Sequence, residues 1–224
     1  MPLPDKIPEP TVRRLSLYLR ELRAHEDRNG QGADSSTILS KELGEALGIT
    51  PAQVRKDLAI FGQFGRAGVG YRTQALIARL RTILGKEQEW NACIVGAGNI
   101  GRALLPYNRF RRDGFDIVAI FDRSPSVIGT VVGDHRVRPM DDLARLVRDR
   151  NIRIGIIAVP GDSAQETAVQ LIDAGIAGIL NFAPRRLDVA ESVSVVNVDF
   201  TVALEQLAFQ ISLGLSGHIG DATK

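Results

Sequence analysis

Apolar residues recur at helical spacing over roughly the first third of the chain, and short β-rich runs follow. In the first part, Leu15, Leu19 and Leu22 predict a helix that begins after Pro10. The polar stretch His25–Ala33 contains glycines and predicts a loop. The 224 residues are enough for two small domains. The change from helical spacing to β-rich runs predicts that the chain has two.

Two consecutive helices are predicted within Ser40–Gly62. The first covers Lys41–Leu47, with Ser40 as its N-cap. The second begins at Thr50–Gln53, where a threonine N-cap is followed by proline at the first helical position and by a glutamine that can close a capping box. A short helix, a turn and a longer capped helix are typical of a helix-turn-helix.

The second helix of this pair presents polar and basic side chains outward when its apolar residues face inward. Such side chains contact base edges or phosphates in a major groove. The segment Gly62–Arg72 contains four glycines and predicts the β-hairpin wing of a winged helix, with arginines placed for the DNA backbone or minor groove. A basic pair alone also fits a solvated helix face, and the combination with the hairpin favours DNA binding. The residues predicted to contact DNA are Ser40, Gln53, Arg55, Lys56, Arg66 and Arg72.

From Asn91 onward, β-rich runs alternate with amphipathic segments, which predicts a parallel, doubly wound α/β sheet. The predicted strands are 92–95, 117–121, 154–159, 178–181 and 193–198, and the predicted helices are 101–111, 140–149 and 164–174. A last segment, Thr201–Leu215, is apolar on nearly every side. It must therefore be buried in this subunit or against another one.

The segment Gly96–Gly101 matches the dinucleotide-binding pattern G-x-G-x-x-G directly after a predicted strand. The first glycine permits a tight turn, the second lets a pyrophosphate approach the backbone, and the third lets helix and strand pack closely. Asp122 ends the next strand, where an acid binds the ribose hydroxyls of NAD(H) and repels the 2′-phosphate of NADP(H). Arg123 weakens that preference, and an ordinary turn acid is the alternative for Asp122.

Two further strand ends are candidate contacts on the nicotinamide side, because ligands of open α/β sheets bind at the carboxyl ends of the strands. Strand-terminating turn chemistry explains the same residues equally well. The residues predicted to bind the cofactor are Gly96, Ala97, Gly98, Asn99, Ile100, Gly101, Asp122, Val159, Pro160, Asn181, Phe182, Ala183 and Pro184.

Charge and composition refine this interpretation only slightly. Residues 1–85 carry 13 Lys+Arg against 9 Asp+Glu, while the remainder carries 15 against 17, so the basic excess lies in the predicted DNA-binding part. One cysteine and three scattered histidines argue against disulfides and metal sites, and the position of Cys93 in an apolar run argues against a thiol sensor. Since no apolar run approaches the ~20 residues of a membrane span and no signal peptide is evident, we expect a cytoplasmic protein without a membrane partner.

With these motifs the chain resembles the Rex family of redox-sensing transcriptional repressors over nearly its whole length. The resemblance rests on Gln53–Leu58 with Phe61 and Gly62, Gly65–Tyr71, Gly96–Gly101, Asn181–Pro184 and Asn197–Phe200. It implies a homodimer in which the C-terminal helix crosses to the partner subunit. It also implies that NADH releases the protein from palindromic operator DNA, with NAD⁺ as a weaker competitor, and we expect NADH to do so by closing the dimer.

The expected organisation is a winged-helix domain at 1–85, a Rossmann domain at 86–200, a dimerisation helix at 201–217 and a tail at 218–224. Two other functions remain open. A small NAD-dependent dehydrogenase would use the same glycine motif, but no substrate domain and no Tyr-x-x-x-Lys pair are present, and the winged helix would have no role. The second alternative is a DNA-binding protein that senses coenzyme A. Asp122 at the ribose position argues for NAD(H) over coenzyme A but does not decide between the two ligands.

Overall fold

The computed structural model describes residues 7–29, 37–62, 64–66, 68–107 and 109–214. The chain divides into two compact units, an N-terminal unit of residues 1–88 and a C-terminal unit of residues 89–224. Their boundary lies just after the predicted one at 85/86. The predicted tail at 218–224 and the end of the predicted last helix, 215–217, lie outside the described residues.

The N-terminal unit packs helices around a small antiparallel sheet. Its elements are α1 (Glu9–Asn29), β1 (Thr37–Ile38), α2 (Ser40–Leu47), α3 (Pro51–Ala59), β2 (Gly65–Arg66), β3 (Gly70–Arg72) and α4 (Thr73–Ile83). Strand β3 pairs with β1 on one side and β2 on the other. The core is formed by apolar side chains of α1 to α4, among them Leu15, Leu22, Leu43, Val54, Leu58 and Leu80. This is the architecture of a winged helix.

Two predictions at helix ends are wrong in this unit. Helix α1 continues through His25 to Asn29, where a loop was expected, because no glycine or proline interrupts it before Gly30. An ion pair of 2.7 Å between Arg28 and Glu21 stabilises the C-terminal end of α1. Residues 30–33 of the expected loop lie outside the described residues. Helix α2 begins at Ser40 itself, so Ser40 is not its N-cap.

The C-terminal unit is built on a six-stranded, all-parallel sheet with the order β11-β10-β9-β4-β5-β8. This is the strand order of a doubly wound dinucleotide-binding fold. The strands are β4 (Trp90–Val95), β5 (Phe115–Asp122), β6 (Val131–Val132), β7 (His135–Arg136), β8 (Arg138–Pro139), β9 (Ile152–Ile157), β10 (Gly178–Asn181) and β11 (Ser194–Asn197). The helices are α5 (Asn99–Leu104), α6 (Arg109–Arg112), α7 (Leu143–Asp149), α8 (Gly161–Asp173) and α9 (Phe200–Ser212).

Helices cover both faces of this sheet, as the doubly wound prediction requires. Apolar residues of α7 and α8 pack on one face, and those of α5 and α6 pack on the other. The single helix predicted at 101–111 is instead divided into α5 and α6, because the chain turns at Leu105 and Pro106. The strands β6 to β8 were not predicted, since they are only two residues long. Helix α9 is exposed along its whole length within the single chain.

A buried carboxylate joins α3 to α1 in the N-terminal unit. Asp57 is 1% exposed and accepts hydrogen bonds from Arg14 Nη2, Tyr18 Oη and Gln53 Nε2, each at 2.8 Å. Arg14 Nε forms a further contact with the same carboxylate. Burial alone would raise the pKa of Asp57, but the donors from Arg14, Tyr18 and Gln53 outweigh it and hold that pKa below its usual value.

We expect Asp57→Asn to lower the free energy of unfolding of the N-terminal unit by about 3 kcal/mol, because it leaves Arg14 without its buried counter-charge. The folded-state pKa of Asp57 is depressed, so its contribution is complete above about pH 4 and is lost as the pH falls through the folded-state value. Urea unfolding followed by circular dichroism at several pH values measures both effects.

Two controls are available for this experiment. Fluorescence of Trp90, the single tryptophan, reports the C-terminal unit and should not respond. Asp142→Asn breaks the exposed pair with Arg145 and should leave the unfolding midpoint unchanged. An Asp57→Asn variant with the wild-type midpoint and acid dependence would refute the assigned role of this carboxylate.

Candidate functional sites

The turn between α2 and α3 sets the position of the second helix. Gly48 adopts a φ of 64°, and a Cβ on Gly44 would collide with the carbonyl oxygen of Ile49, so the helices approach closely at this turn. Thr50 Oγ1 accepts the N–H of Gln53 at 3.2 Å, which confirms the predicted N-cap. The predicted capping box does not form, because the Gln53 side chain binds Asp57 instead.

The outward face of α3 carries Arg55 and Lys56, both exposed. Arg55 Nη1 donates to Ser40 Oγ at 3.0 Å, so the first residue of α2 holds this guanidinium. Three of the predicted DNA contacts, Ser40, Arg55 and Lys56, therefore lie on adjoining turns of α2 and α3. Gln53 is half-buried at the edge of the same face.

The predicted wing is a β-hairpin formed by β2 and β3. A Cβ on Gly65 would lie 2.8 Å from the ring of Tyr71, so glycine is required where the hairpin covers this buried side chain. Arg66 and Arg72 are exposed on the two strands. A cleft of about 460 Å³ between α3 and the wing is lined by Ser40, Arg55, Arg66 and the wing glycines.

The glycine-rich turn after β4 has the close contacts that its motif predicts. Gly96 adopts a φ of 107°, and a Cβ there would collide with the carbonyl oxygen of Ala158 in the neighbouring connection. A Cβ on Gly101 would collide with the carbonyl oxygen of Gly96, so the third glycine lets α5 pack onto the turn. Around Gly98, by contrast, no atom of the described residues lies within 4 Å of the Cβ position. Of the three glycines of the motif, Gly98 is the one that faces open space of the kind a phosphate group requires.

Asp122 at the end of β5 is tied to this turn. Its Oδ2 accepts the N–H of Ala97 at 2.8 Å, and its Oδ1 accepts the N–H of Ser124 at 2.8 Å. Each carboxylate oxygen retains a second lone pair for a hydroxyl donor. The geometry thus leaves Asp122 able to accept a ribose hydroxyl while it braces the turn.

A cleft of about 290 Å³ opens beside the turn, between the ends of β4, β5 and β9. Five predicted residues line it, namely Gly96, Gly98, Asp122, Val159 and Pro160. Asn99 and Ile100 are exposed in the first turn of α5, while Ala97 and Gly101 are buried beneath it. Arg123, which the sequence analysis placed beside Asp122, lines the cleft too. Further lining residues were missed by the sequence analysis, among them Met140, Ser163, Glu166, Thr167 and Gln170. The last four recur at i, i+3, i+4 and i+7 and form a polar stripe on α8, a spacing that an ordinary solvated helix face shows as well.

The end of β10, the second strand end predicted to contact the nicotinamide, is held by side-chain hydrogen bonds within its own turn. Asn181 is fully buried, donates to the carbonyl of Arg185 at 2.8 Å and to Asn197 Oδ1 at 2.9 Å, and accepts the N–H of Ala183 at 3.0 Å. Its amide therefore holds the turn together. Phe182 is half-buried, with its ring centroid 6.2 Å from that of Phe200, and Pro184 is exposed.

Comparison with known proteins shows the same two-part organisation. Residues 6–59 match the family model "Putative DNA-binding protein N-terminus", and residues 87–185 match "CoA binding domain". The redox-sensing transcriptional repressor Rex of Carboxydothermus hydrogenoformans is 48% identical over 206 residues, 92% of this chain and 97% of that protein. Rex of Desulforamulus reducens is 46% identical over 208 residues, 93% and 97% of the two chains. This chain belongs to the Rex family.

Solved structures of RSP, a Rex-family repressor, have the same fold. The RSP structure is 34% identical to this Rex-family chain with a TM-score of 0.83, and the match covers 94% of this chain and 96% of RSP. RSP has also been solved with β-NADH, and with β-NAD⁺ and operator DNA, each at a TM-score of 0.83. The combination of winged helix and Rossmann-like domain is thus a property of the Rex fold.

Other kinds of site find no support in the described parts of this Rex-family chain. No group of three His, Cys, Asp or Glu side chains there could hold a metal ion. Among the described helices, none is long and apolar enough to cross a membrane. Burial raises the pKa of the Cys93 thiol to about 12, so it is protonated and unreactive near neutral pH.

The two glycines of the turn should respond differently to alanine. We expect Gly101→Ala to destabilise the C-terminal unit by about 2 kcal/mol, because the added methyl group collides with the Gly96 carbonyl. Gly98→Ala should change stability by less than about 1 kcal/mol, since its Cβ position is open. Urea unfolding followed by Trp90 fluorescence measures both. Equal effects of the two substitutions would contradict the assigned contacts.

Proposed function

We propose that this protein is a DNA-binding transcriptional repressor that senses the NADH/NAD⁺ ratio. The observation that carries the proposal is the presence in one chain of a basic winged helix and of a glycine-rich turn braced by Asp122. RSP, which shares this fold, has been solved with β-NADH and with β-NAD⁺ and operator DNA. In cells such a protein acts where the DNA is, which for a bacterial repressor is the cytoplasm.

In the DNA complex, α3 enters the major groove and the wing follows the backbone or minor groove. Lys56 faces the groove, and Arg66 and Arg72 contact phosphates or the minor groove. Arg55 is held by Ser40 toward α2, which favours a phosphate contact by this pair. These assignments are supported by the exposure of the basic side chains and by the cleft that Ser40, Arg55 and Arg66 line together.

In the nucleotide complex, the pyrophosphate lies against Gly98 and the first turn of α5, where Asn99 and Ile100 are exposed. The Asp122 carboxylate accepts hydrogen bonds from the adenosine ribose hydroxyls. Its two backbone hydrogen bonds fix it in place, so it would repel the 2′-phosphate of NADPH. NADH is therefore bound in preference to NADPH. Residues 182–184 contact the nicotinamide side through backbone and apolar groups, because the Asn181 amide is already occupied.

The protein acts as a homodimer, and α9 is the element that joins the subunits. Phe200, Leu204, Phe209 and Ile211 are each about 60% exposed in the single chain, which a soluble helix of this composition does not tolerate. Val196 on the edge strand β11 is also 52% exposed. Exchange of α9 between subunits covers these groups, and the two-fold symmetry predicts a palindromic operator.

NADH releases the DNA by favouring a closed arrangement of the dimer, in which the two recognition helices no longer match half-sites roughly 34 Å apart. NAD⁺ competes for the same site with a weaker effect. No catalytic step is assigned to the chain. Coenzyme A is the alternative ligand, since the matched family model carries its name.

Selection from a random pool of duplex DNA tests this function directly. We expect enrichment of a palindromic sequence whose binding is lost on addition of NADH, but not of NADPH or coenzyme A. Enrichment that is unaffected by any nicotinamide nucleotide would leave a repressor without the redox sensor. Release by coenzyme A would change the ligand, and the absence of any enriched sequence would overturn the proposal.

Variants at the two sites should separate the two activities. Replacing Arg55 and Lys56 together by Ala should abolish operator binding and leave NADH affinity unchanged, because the substitutions alter only the N-terminal unit. Asp122→Ala and Gly98→Ala should do the reverse, with operator binding retained and NADH-driven release lost. Fluorescence anisotropy of labelled operator and calorimetric titration with NADH measure the two activities. Unchanged release in Asp122→Ala would refute the nucleotide site.

A further inference from the structure

The orientation of the Gln53 side chain is set by its neighbours in the first turn of α3. Gln53 Nε2 lies 2.8 Å from Asp57 Oδ1, and this carboxylate is also bound by Arg14 and Tyr18. An ionised carboxylate accepts hydrogen bonds and has none to donate, so the nitrogen end of the Gln53 amide must face it. The amide oxygen, Oε1, therefore points away from Asp57.

The position of Gln53 on α3 places the residue at the border of the surface that carries Arg55 and Lys56. Gln53 precedes Lys56 by three residues, so the two side chains lie on neighbouring positions of one helix face. Gln53 is half-buried, whereas Lys56 is exposed. Among the described residues, none donates a hydrogen bond to Oε1 of Gln53. A strong acceptor is therefore presented beside the basic face of α3.

We propose that Gln53 is a specificity-determining residue whose Oε1 accepts a hydrogen bond from the exocyclic amino group of one base in the major groove. The inference rests on the proposed function, in which α3 enters that groove. Adenine N6 and cytosine N4 are the amino donors there, while guanine and thymine present only acceptors at the corresponding positions. Adenine also offers N7 as an acceptor for the second hydrogen of Nε2.

Asp57 acts in this scheme as a positioning residue. It contacts no base and determines which end of the Gln53 amide faces outward. An asparagine at position 57 has both a donor and an acceptor, so it would allow either orientation of the Gln53 amide. Asp57→Asn should therefore relax base discrimination at one position, an effect that loss of stability alone does not produce.

The test uses the full-length protein and the operator obtained by selection. Each adenine of a half-site is replaced in turn by purine, and each cytosine by 2-pyrimidinone, which removes one amino group at a time. The wild-type protein should lose about tenfold in affinity at one symmetric position. Gln53→Met should bind the unmodified operator more weakly and lose this dependence. Lys56→Met is the matched control, because it should weaken binding to all duplexes and keep the dependence.

The outcomes distinguish this inference from the proposed function. A wild-type profile without any amino-group dependence, or a Gln53→Met profile identical to wild type, would overturn the role of Gln53. A uniform loss across all duplexes in Gln53→Met would assign Gln53 to a phosphate and also overturn it. If no operator is enriched, the proposed function fails and the inference fails with it. Asp57→Asn is measured at a temperature at which circular dichroism shows this variant to be folded. If Asp57→Asn does not fold, the Gln53→Met variant alone decides the test.

Discussion

The burial of one charge constrains the N-terminal unit. Asp57 is 1% exposed, and a carboxylate at that depth is tolerated only when its oxygens are fully bonded. Its donors come from α3 itself and from α1, with Arg14 located 43 positions earlier in the chain. These hydrogen bonds fix the placement of α3 against α1. The outward face of α3 and the orientation of Gln53 follow from this placement.

In the C-terminal unit, the corresponding constraint is the close contact of glycine residues with neighbouring backbone carbonyl groups, not a buried charge. The contacts of Gly96 and Gly101 leave no room for a side chain, and Asp122 bonds the N–H of Ala97 within the same turn. The tight turn at Gly96 and the close packing at Gly101 could be predicted from the sequence, because the geometry of the glycine motif is invariant. The hydrogen bond from Ala97 to Asp122, 25 positions away, was not predicted. The N-cap at Thr50 could be predicted, since it is a contact over three residues. Local rules account for such elements.

The features that were missed depend on long-range packing or on competition between partners. The Gln53 side chain was expected to bond the backbone of its own helix, but Asp57, itself held by α1, is the stronger acceptor. Helix α1 extends through the polar residues 25–29 because nothing in the sequence breaks it. The polar stripe of α8 at the nucleotide cleft has the spacing of an ordinary solvated helix face. It becomes significant only once the sheet order brings α8 beside the glycine-rich turn.

Coupling between the two proposed sites requires a difference in NADH affinity whose size can be calculated. The residues proposed to face DNA and those proposed to face the nucleotide belong to different units, so NADH changes DNA affinity only if it binds two arrangements of the proposed dimer with different affinities. Shifting such an equilibrium from 1:99 to 99:1 requires a preference of about 10⁴-fold. Because the two nucleotide sites of a dimer multiply their preferences, each site needs a preference of only about a hundredfold. Two hydrogen bonds that form in only one arrangement supply a preference of that size, so a few local contacts at each nucleotide site are enough for the switch.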